Sequence, residues 1–228
     1  MRRYRIEVAG VPMHVVQRGI DRARVFRDDD DRQHYLVDLH ACASAESVAL
    51  HGYVLMDNHV HLLMSSPIAG GVSRALRALG SRFVRRYNSR HGRTGPLWEG
   101  RFRSSVIADD RYLFRCLAYI ELNPVRAGMT RTAETFLWSS ARHHLGLHRD
   151  PFVDPHPTFV ALAAEPAARH VAWRAILDHG IGRIELERIR EHFRQERVYG
   201  PGDFQEQISV LTGRSVKVTS RGRPRTRA

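Results

Sequence analysis

Residues 49 to 66, ALHGYVLMDNHVHLLMSS, constrain the fold more than any other stretch. Apolar, β-branched and aromatic residues flank the Asp57-Asn58 pair, whose turn chemistry makes GYVLM-DN-HVHLLM a two-stranded hairpin. Alternate side chains of a strand share a face, so Val60, Leu62 and Met64 form the core side. His59, His61 and Leu63 point the other way. The two imidazoles then stand side by side, their Cα atoms roughly 6 to 7 Å apart, close enough to share a metal ion. The same pattern also suits two polar positions on an exposed face.

The hairpin sits in an ordered series. MHVVQRG (13–19) alternates as a strand, and the acidic run DDDDR (28–32) suits a helix start running to about Ser47. After the hairpin, Val72, Leu76, Leu79, Phe83 and Tyr87 recur at helical spacing, with Arg74, Arg77, Arg82, Arg85, Arg86 and Arg90 on the remaining surface. A Gly-rich loop, HGRTGPLWEGRF, leads to a strand at 103–108 and a helix at 109–128, which opens on Asp109 and Asp110 and is limited by Pro124. Strand, helix, strand, strand, helix, strand, helix predicts an α+β fold. Its sheet is antiparallel and ferredoxin-like (split βαβ), with helices on one face and the other face open to a ligand.

From about Trp138 the pattern loosens. Residues 1–145 read as the catalytic domain, 146–213 as a mainly helical accessory region and 214–228 as a basic tail. The tail holds six positive and no acidic residues, half of the net charge of +12. Such a block is usually disordered, yet it can bind DNA through Arg221, Arg223 and Arg225, since GRPR (222–225) is similar to short minor-groove hooks.

At 228 residues the chain suits one sizeable domain, and 43% hydrophobic with 26% charged residues is a globular balance. No window approaches the ~18 apolar residues of a membrane span, and the first residues lack the apolar core of a secretory signal. The two cysteines, Cys42 and Cys116, form no CxxC pair, which argues against a disulfide framework and a cysteine zinc site and fits a reducing cytoplasm. The positive excess is nearly all arginine, whose planar fork suits phosphate, so nucleic acid is the expected partner.

A second constellation lies on the helix at 109–128. At 100° per residue Tyr112, Cys116, Tyr119 and Asn123 fall within about 60° of one another, while Leu113, Leu117, Ile120 and Pro124 form a separate apolar stripe. Tyr119 and Asn123 are an (i, i+4) pair able to meet one target. Tyr119 by itself also suits a half-buried place at the core edge. Two histidines with an amide oxygen could hold a divalent ion that polarises a phosphate, and a nearby tyrosine oxygen could attack phosphorus.

Together HVHLL with its upstream VLMDN, the loop GPLWEGRFRS, AYIELNPVRAGM and HVVQRGIDRARVFRDDDDR resemble the REP-associated tyrosine transposases. These are relatives of single-tyrosine insertion-sequence transposases in the HUH endonuclease superfamily. The resemblance covers residues 1 to about 145. It implies a bacterial, cytoplasmic, nucleoid-associated enzyme that nicks single-stranded DNA near palindromic hairpins through a covalent 5′-phosphotyrosine and can rejoin strands without ATP or any other nucleotide cofactor. Carried over by position, Tyr119 is the nucleophile and His59, His61 and Asn123 the metal ligands, Asn123 standing where related enzymes carry glutamine. Mg²⁺ is the implied ion, with Mn²⁺ as the alternative. Arg82, Arg85, Arg86, Arg90, Arg93, Arg101 and Arg103 are candidate phosphate contacts, favoured over an ordinary solvated face; Phe102 is a candidate stacking surface, and Trp98 suits a stacking surface and the core equally. A monomer and a homodimer both remain open. The rival readings are a non-catalytic hairpin-binding regulator, a nuclease that uses water, and an RNA-binding module.

Overall fold

In a computed structural model of the chain, residues 5–108 and 111–219 are described. Asp109, Asp110, Arg221, Arg223 and Arg225 lie outside them. The first strand, β1 (Met13–Arg18), is followed by α1 (Asp29–Ala45), β2 (Ala49–Met56), β3 (His59–Ser65), α2 (Gly71–Arg90), β4 (Arg103–Val106) and α3 (Arg111–Glu121). The strands form one antiparallel sheet in the order β2-β3-β1-β4, the ferredoxin-like arrangement.

The hairpin closes over Asp57 and Asn58, with Met56 opposite His59. Long-range contacts hold this turn: the Asp57 carbonyl accepts from the Val25 and Phe26 amides, and the Asn58 carbonyl from Gly19. The Asp57 carboxylate meets Arg32 at 2.6 Å. Asp28 caps α1 by accepting from the Asp31 amide at 3.0 Å, as a short acidic side chain at a helix start does. Arg90, at the end of α2, then reaches Asp28, Asp30 and Asp31 at 2.7, 3.0 and 2.6 Å. The acidic run thus starts α1 and ties it to α2.

One sheet face packs against α1 and α2. Val15, Tyr53, Leu55, Val60, Leu62 and Met64 join Leu36, Leu39, Leu76, Leu79 and Phe83 in a single cluster. The other face, expected to be open, is largely covered, which corrects the one-sided arrangement within an otherwise matching fold. Val54, Met56 and Leu63 pack against Leu113, Cys116, Leu117 and Ile120 of α3. Gly52 permits that approach, because a Cβ there would lie 2.3 Å from Leu117 Cδ1. The reason lies in composition: the hairpin carries apolar side chains on both faces, Val54, Met56 and Leu63 opposite Tyr53, Leu55, Val60, Leu62 and Met64, as strands covered on both sides do.

After α3 come the short turns α4 (Asn123–Arg126), α5 (Ala141–His144) and α6 (Pro157–Val160), then α7 (Pro166–His179), α8 (Arg183–Arg194) and α9 (Gly202–Thr212). Trp173, Leu177, Ile189 and Tyr199 join the α3 cluster. Tyr199 also extends the β4 edge, its amide donating to the Val106 carbonyl at 2.8 Å and its carbonyl accepting from Ala108 at 2.9 Å. Beneath α3, the Glu121 carboxylate is fully buried. It accepts from Ser140 Oγ and His144 Nδ1, each at 2.6 Å, and from Trp173 Nε1 at 2.9 Å.

His51, on β2, gives the fold a pH dependence. Its Nδ1 donates to the Asp154 carbonyl and its Nε2 accepts from Ser65 Oγ, both at 2.7 Å. Burial lowers its pKa from 6.5 to about 4, the Asp154 carbonyl opposing and His156 and His144 assisting. Between those values the unfolded chain takes up a proton that the folded chain refuses, so stability falls as pH falls through that window, by up to about 3 kcal/mol. Urea unfolding at pH 7.5 and pH 4.5 is expected to lose that increment in the unsubstituted protein and to lose less in His51→Gln.

Candidate active site

In the antiparallel pairing of β1 with β3, Val16 lies opposite His61 and Arg18 opposite His59. His14, Val16 and Arg18 therefore share a face with Leu63, His61 and His59. His14 Nε2 lies 2.8 Å from His61 Nδ1, and the two rings stack with centroids 5.0 Å apart. Tyr119, half-buried on α3, stands edge-on to both, 5.7 Å from each centroid. His59 is 5.0 Å from His61, and its Nδ1 donates to Asn58 Oδ1 at 2.6 Å. The expected grouping of His59, His61 and Tyr119 is present.

Both Nδ1 atoms are engaged, and among the described residues no hydrogen bond reaches Nε2 of His59 or His61. Burial lowers all three imidazoles: His14 to about 3 with help from Arg126, and His59 to about 4 with help from Arg18. His61 falls well below its usual value through burial and then the nearby His14, His59, Arg126 and Arg18. All three are neutral near pH 7, the form in which an imidazole ligates metal. His14 Nδ1 is buried with no partner among the described residues, which costs about 1–3 kcal/mol.

Asn123 opens α4 directly after α3, and its Nδ2 donates to the Tyr119 carbonyl at 3.0 Å. Its Oδ1 faces no donor among the described residues. No hydrogen bond links Asn123 to either histidine there. Arg126, one turn on, donates to the same carbonyl and lies 4.4 Å over the Tyr119 ring. Burial lowers the Arg126 pKa to about 10, so it stays charged beside the phenol at neutral pH. Two imidazole nitrogens and an amide oxygen are a donor set that fits a divalent ion. Among the described residues no three His, Cys, Asp or Glu side chains converge on one metal site.

The proposed DNA contacts divide. Trp98 and Phe102 are 8% and 6% exposed and belong to the α1–α2 core, so neither is a free stacking surface. Arg5 lies 3.5 Å over the Phe102 ring. Arg90 is held by three carboxylates, and Arg82 and Arg86 share Asp38 at 2.7 and 3.1 Å, while Arg93 bonds Asn88 Oδ1 and the Pro96 carbonyl. These four arginines are engaged within the fold, although Arg82 and Arg86 stay 52% and 40% exposed. Arg85 is exposed on α2, in a groove that it lines with Arg82, Arg86, Ala78, Ser81 and Ser89. Arg101 and Arg103 line a cavity of about 440 Å³ together with Arg18, Arg194, Glu99 and Glu196. Val16 and Phe193 also line it, and Phe193 packs 4.9 Å from His14, so the cavity borders the histidines.

Sequence reasoning missed His14, Arg18 and Arg126. Arg126 had a signal, since Tyr119, Asn123 and Arg126 fall on one (i, i+4, i+7) stripe. His14 had only its alternation with Val16 and Arg18.

Fold and site together define an α+β ferredoxin-like chain with neutral histidines on a central strand and a tyrosine on the helix above them. Residues 7–123 match the family described as Transposase IS200 like, and the chain belongs to that family. The solved structure of a REP-associated tyrosine transposase bound to a REP hairpin is similar in fold, with a TM-score of 0.53 and 16% identity, over 69% of this chain and 92% of that one. A putative transposase from Deinococcus radiodurans R1 matches at 19% identity over 59% of this chain and 97% of its own, with a TM-score of 0.36. No curated protein matches the sequence. Among the described residues no helix is long and apolar enough to cross a membrane.

Proposed function

We propose that this chain is a metal-dependent single-stranded DNA endonuclease and strand transferase that nicks beside palindromic, REP-like hairpins through a 5′-phosphotyrosine at Tyr119. The observation that carries the reading is the Tyr119 ring, 5.7 Å from His61 and 4.4 Å from the Arg126 guanidinium. Membership of the Transposase IS200 like family supports it, as does likeness to a protein solved with a REP hairpin. His59, His61 and Asn123 would hold Mg²⁺, or Mn²⁺ in its place. When bound, the ion neutralises charge developing on the scissile phosphate.

The chain's own residues account for the remaining steps. Tyr119 Oη attacks phosphorus and gives up its proton as the P–O3′ bond breaks, and the departing oxygen takes up a proton to become a 3′-OH. Arg126 holds its positive charge 4.4 Å from the Tyr119 ring, where it can offset negative charge that develops during the attack. Arg18, Arg103 and Arg194 line the path of adjacent phosphates, and Arg85 lies farther out on α2. The phosphotyrosine keeps the energy of the broken bond, so a 3′-OH can attack it and rejoin strands. A hairpin-binding regulator has no need of two uncharged histidines beside a tyrosine.

The test is incubation with labelled single-stranded hairpins from DNA flanking the gene, resolved on denaturing gels. A covalent protein–DNA adduct is expected with Mg²⁺ or Mn²⁺, none with EDTA, and at least a ~100-fold lower yield in His61→Ala. Tight binding without an adduct in either metal would leave the regulator.

A further inference from the structure

We propose that His14 is a positioning residue that sets the tautomer of His61, and with it which ring nitrogen faces the metal. The proposal rests on the metal reading above. One proton lies between His14 Nε2 and His61 Nδ1, 2.8 Å apart. When His14 donates it, His61 carries its own proton on Nε2 and has no lone pair there for a cation. When His61 donates it, Nε2 is a bare lone pair and His14 keeps its proton on Nδ1.

The surroundings hold His14 to this task. Its ring is 1% exposed, stacked on His61 and walled by Tyr119 at 5.7 Å and Phe193 at 4.9 Å. Among the described residues His14 Nδ1 has no hydrogen-bond partner, so His61 is the one polar contact of the ring there. His59 has the equivalent support from Asn58 Oδ1 at 2.6 Å. On this assignment each strand histidine has one acceptor behind Nδ1 and, among the described residues, no hydrogen bond at Nε2, the arrangement by which an outer acceptor orients a metal-binding imidazole. The acceptor behind His61 is itself an imidazole, brought from β1 by the sheet register rather than by the hairpin.

The test measures Mn²⁺ binding to the full chain by electron paramagnetic resonance of the free ion. His14→Phe keeps a ring without an acceptor and is expected to bind ~10- to 100-fold more weakly. His14→Gln, whose Oε1 can accept from His61, is expected to recover most of that loss. Wild-type affinity in both variants overturns the role of His14 and leaves the metal reading standing. A parent chain that binds neither Mn²⁺ nor Mg²⁺ removes the metal reading itself. Should His14→Phe fail to fold, the ring ¹⁵N shifts of His61 in the Mg²⁺-saturated parent decide: a proton on Nδ1 supports the proposal, and a proton on Nε2 overturns it.

Discussion

Tyr119→Phe is expected to abolish the covalent adduct and to lower hairpin nicking ~10³-fold or more, with hairpin affinity changed less than about 2-fold. The substitution removes one oxygen and keeps the ring. Its contacts with His14, His61 and Arg126 are ring contacts, and its carbonyl still accepts from Asn123 and Arg126. The melting temperature should hold within about 2 °C, so lost activity would report lost chemistry. Denaturing gels with end-labelled hairpins make the comparison. Cleavage that survives the substitution would point to water as the nucleophile and remove Tyr119 from the mechanism.

Trp173→Ala is expected to cost about 3–5 kcal/mol, close to the upper range for emptying a buried site. Trp173 is 0% exposed, packs on Phe159 at 5.4 Å and donates to Glu121 Oε2. Alanine leaves a cavity and removes one of three donors from a carboxylate that water does not reach. At roughly 2–4 °C per kcal/mol for a chain of this size, the melting temperature should drop by about 10 °C. Trp173→Phe keeps most of the packing and loses only the N–H, so its smaller loss isolates the hydrogen bond. Calorimetry of the two variants separates the terms. A drop under about 2 °C in Trp173→Ala would mean that α7 contributes little to the fold.

The hairpin was legible because its period of two and its Asp57-Asn58 turn agree, and both histidines follow from that register. Tyr119 and Asn123 were legible as a stripe on α3. His14 was not, because nothing local says that β1 lies beside β3 in the register that sets Val16 against His61. The ion pairs of the α2 arginines were not legible for a related reason. Asp38 and the Asp28–Asp31 run lie dozens of residues from Arg82, Arg86 and Arg90, and only the α1–α2 packing pairs them. The sequence left Trp98 evenly between a stacking surface and the core, and the fold places it in the core, beside Tyr35 and Phe83 at ring separations of 6.3 and 6.1 Å.

Glu121 sits two residues beyond Tyr119, and its three buried bonds hold α3 from beneath. Moving that helix would break all three and leave Ser140, His144 and Trp173 buried without their acceptor. If Tyr119 is the nucleophile, the arm that carries it is therefore braced at its root.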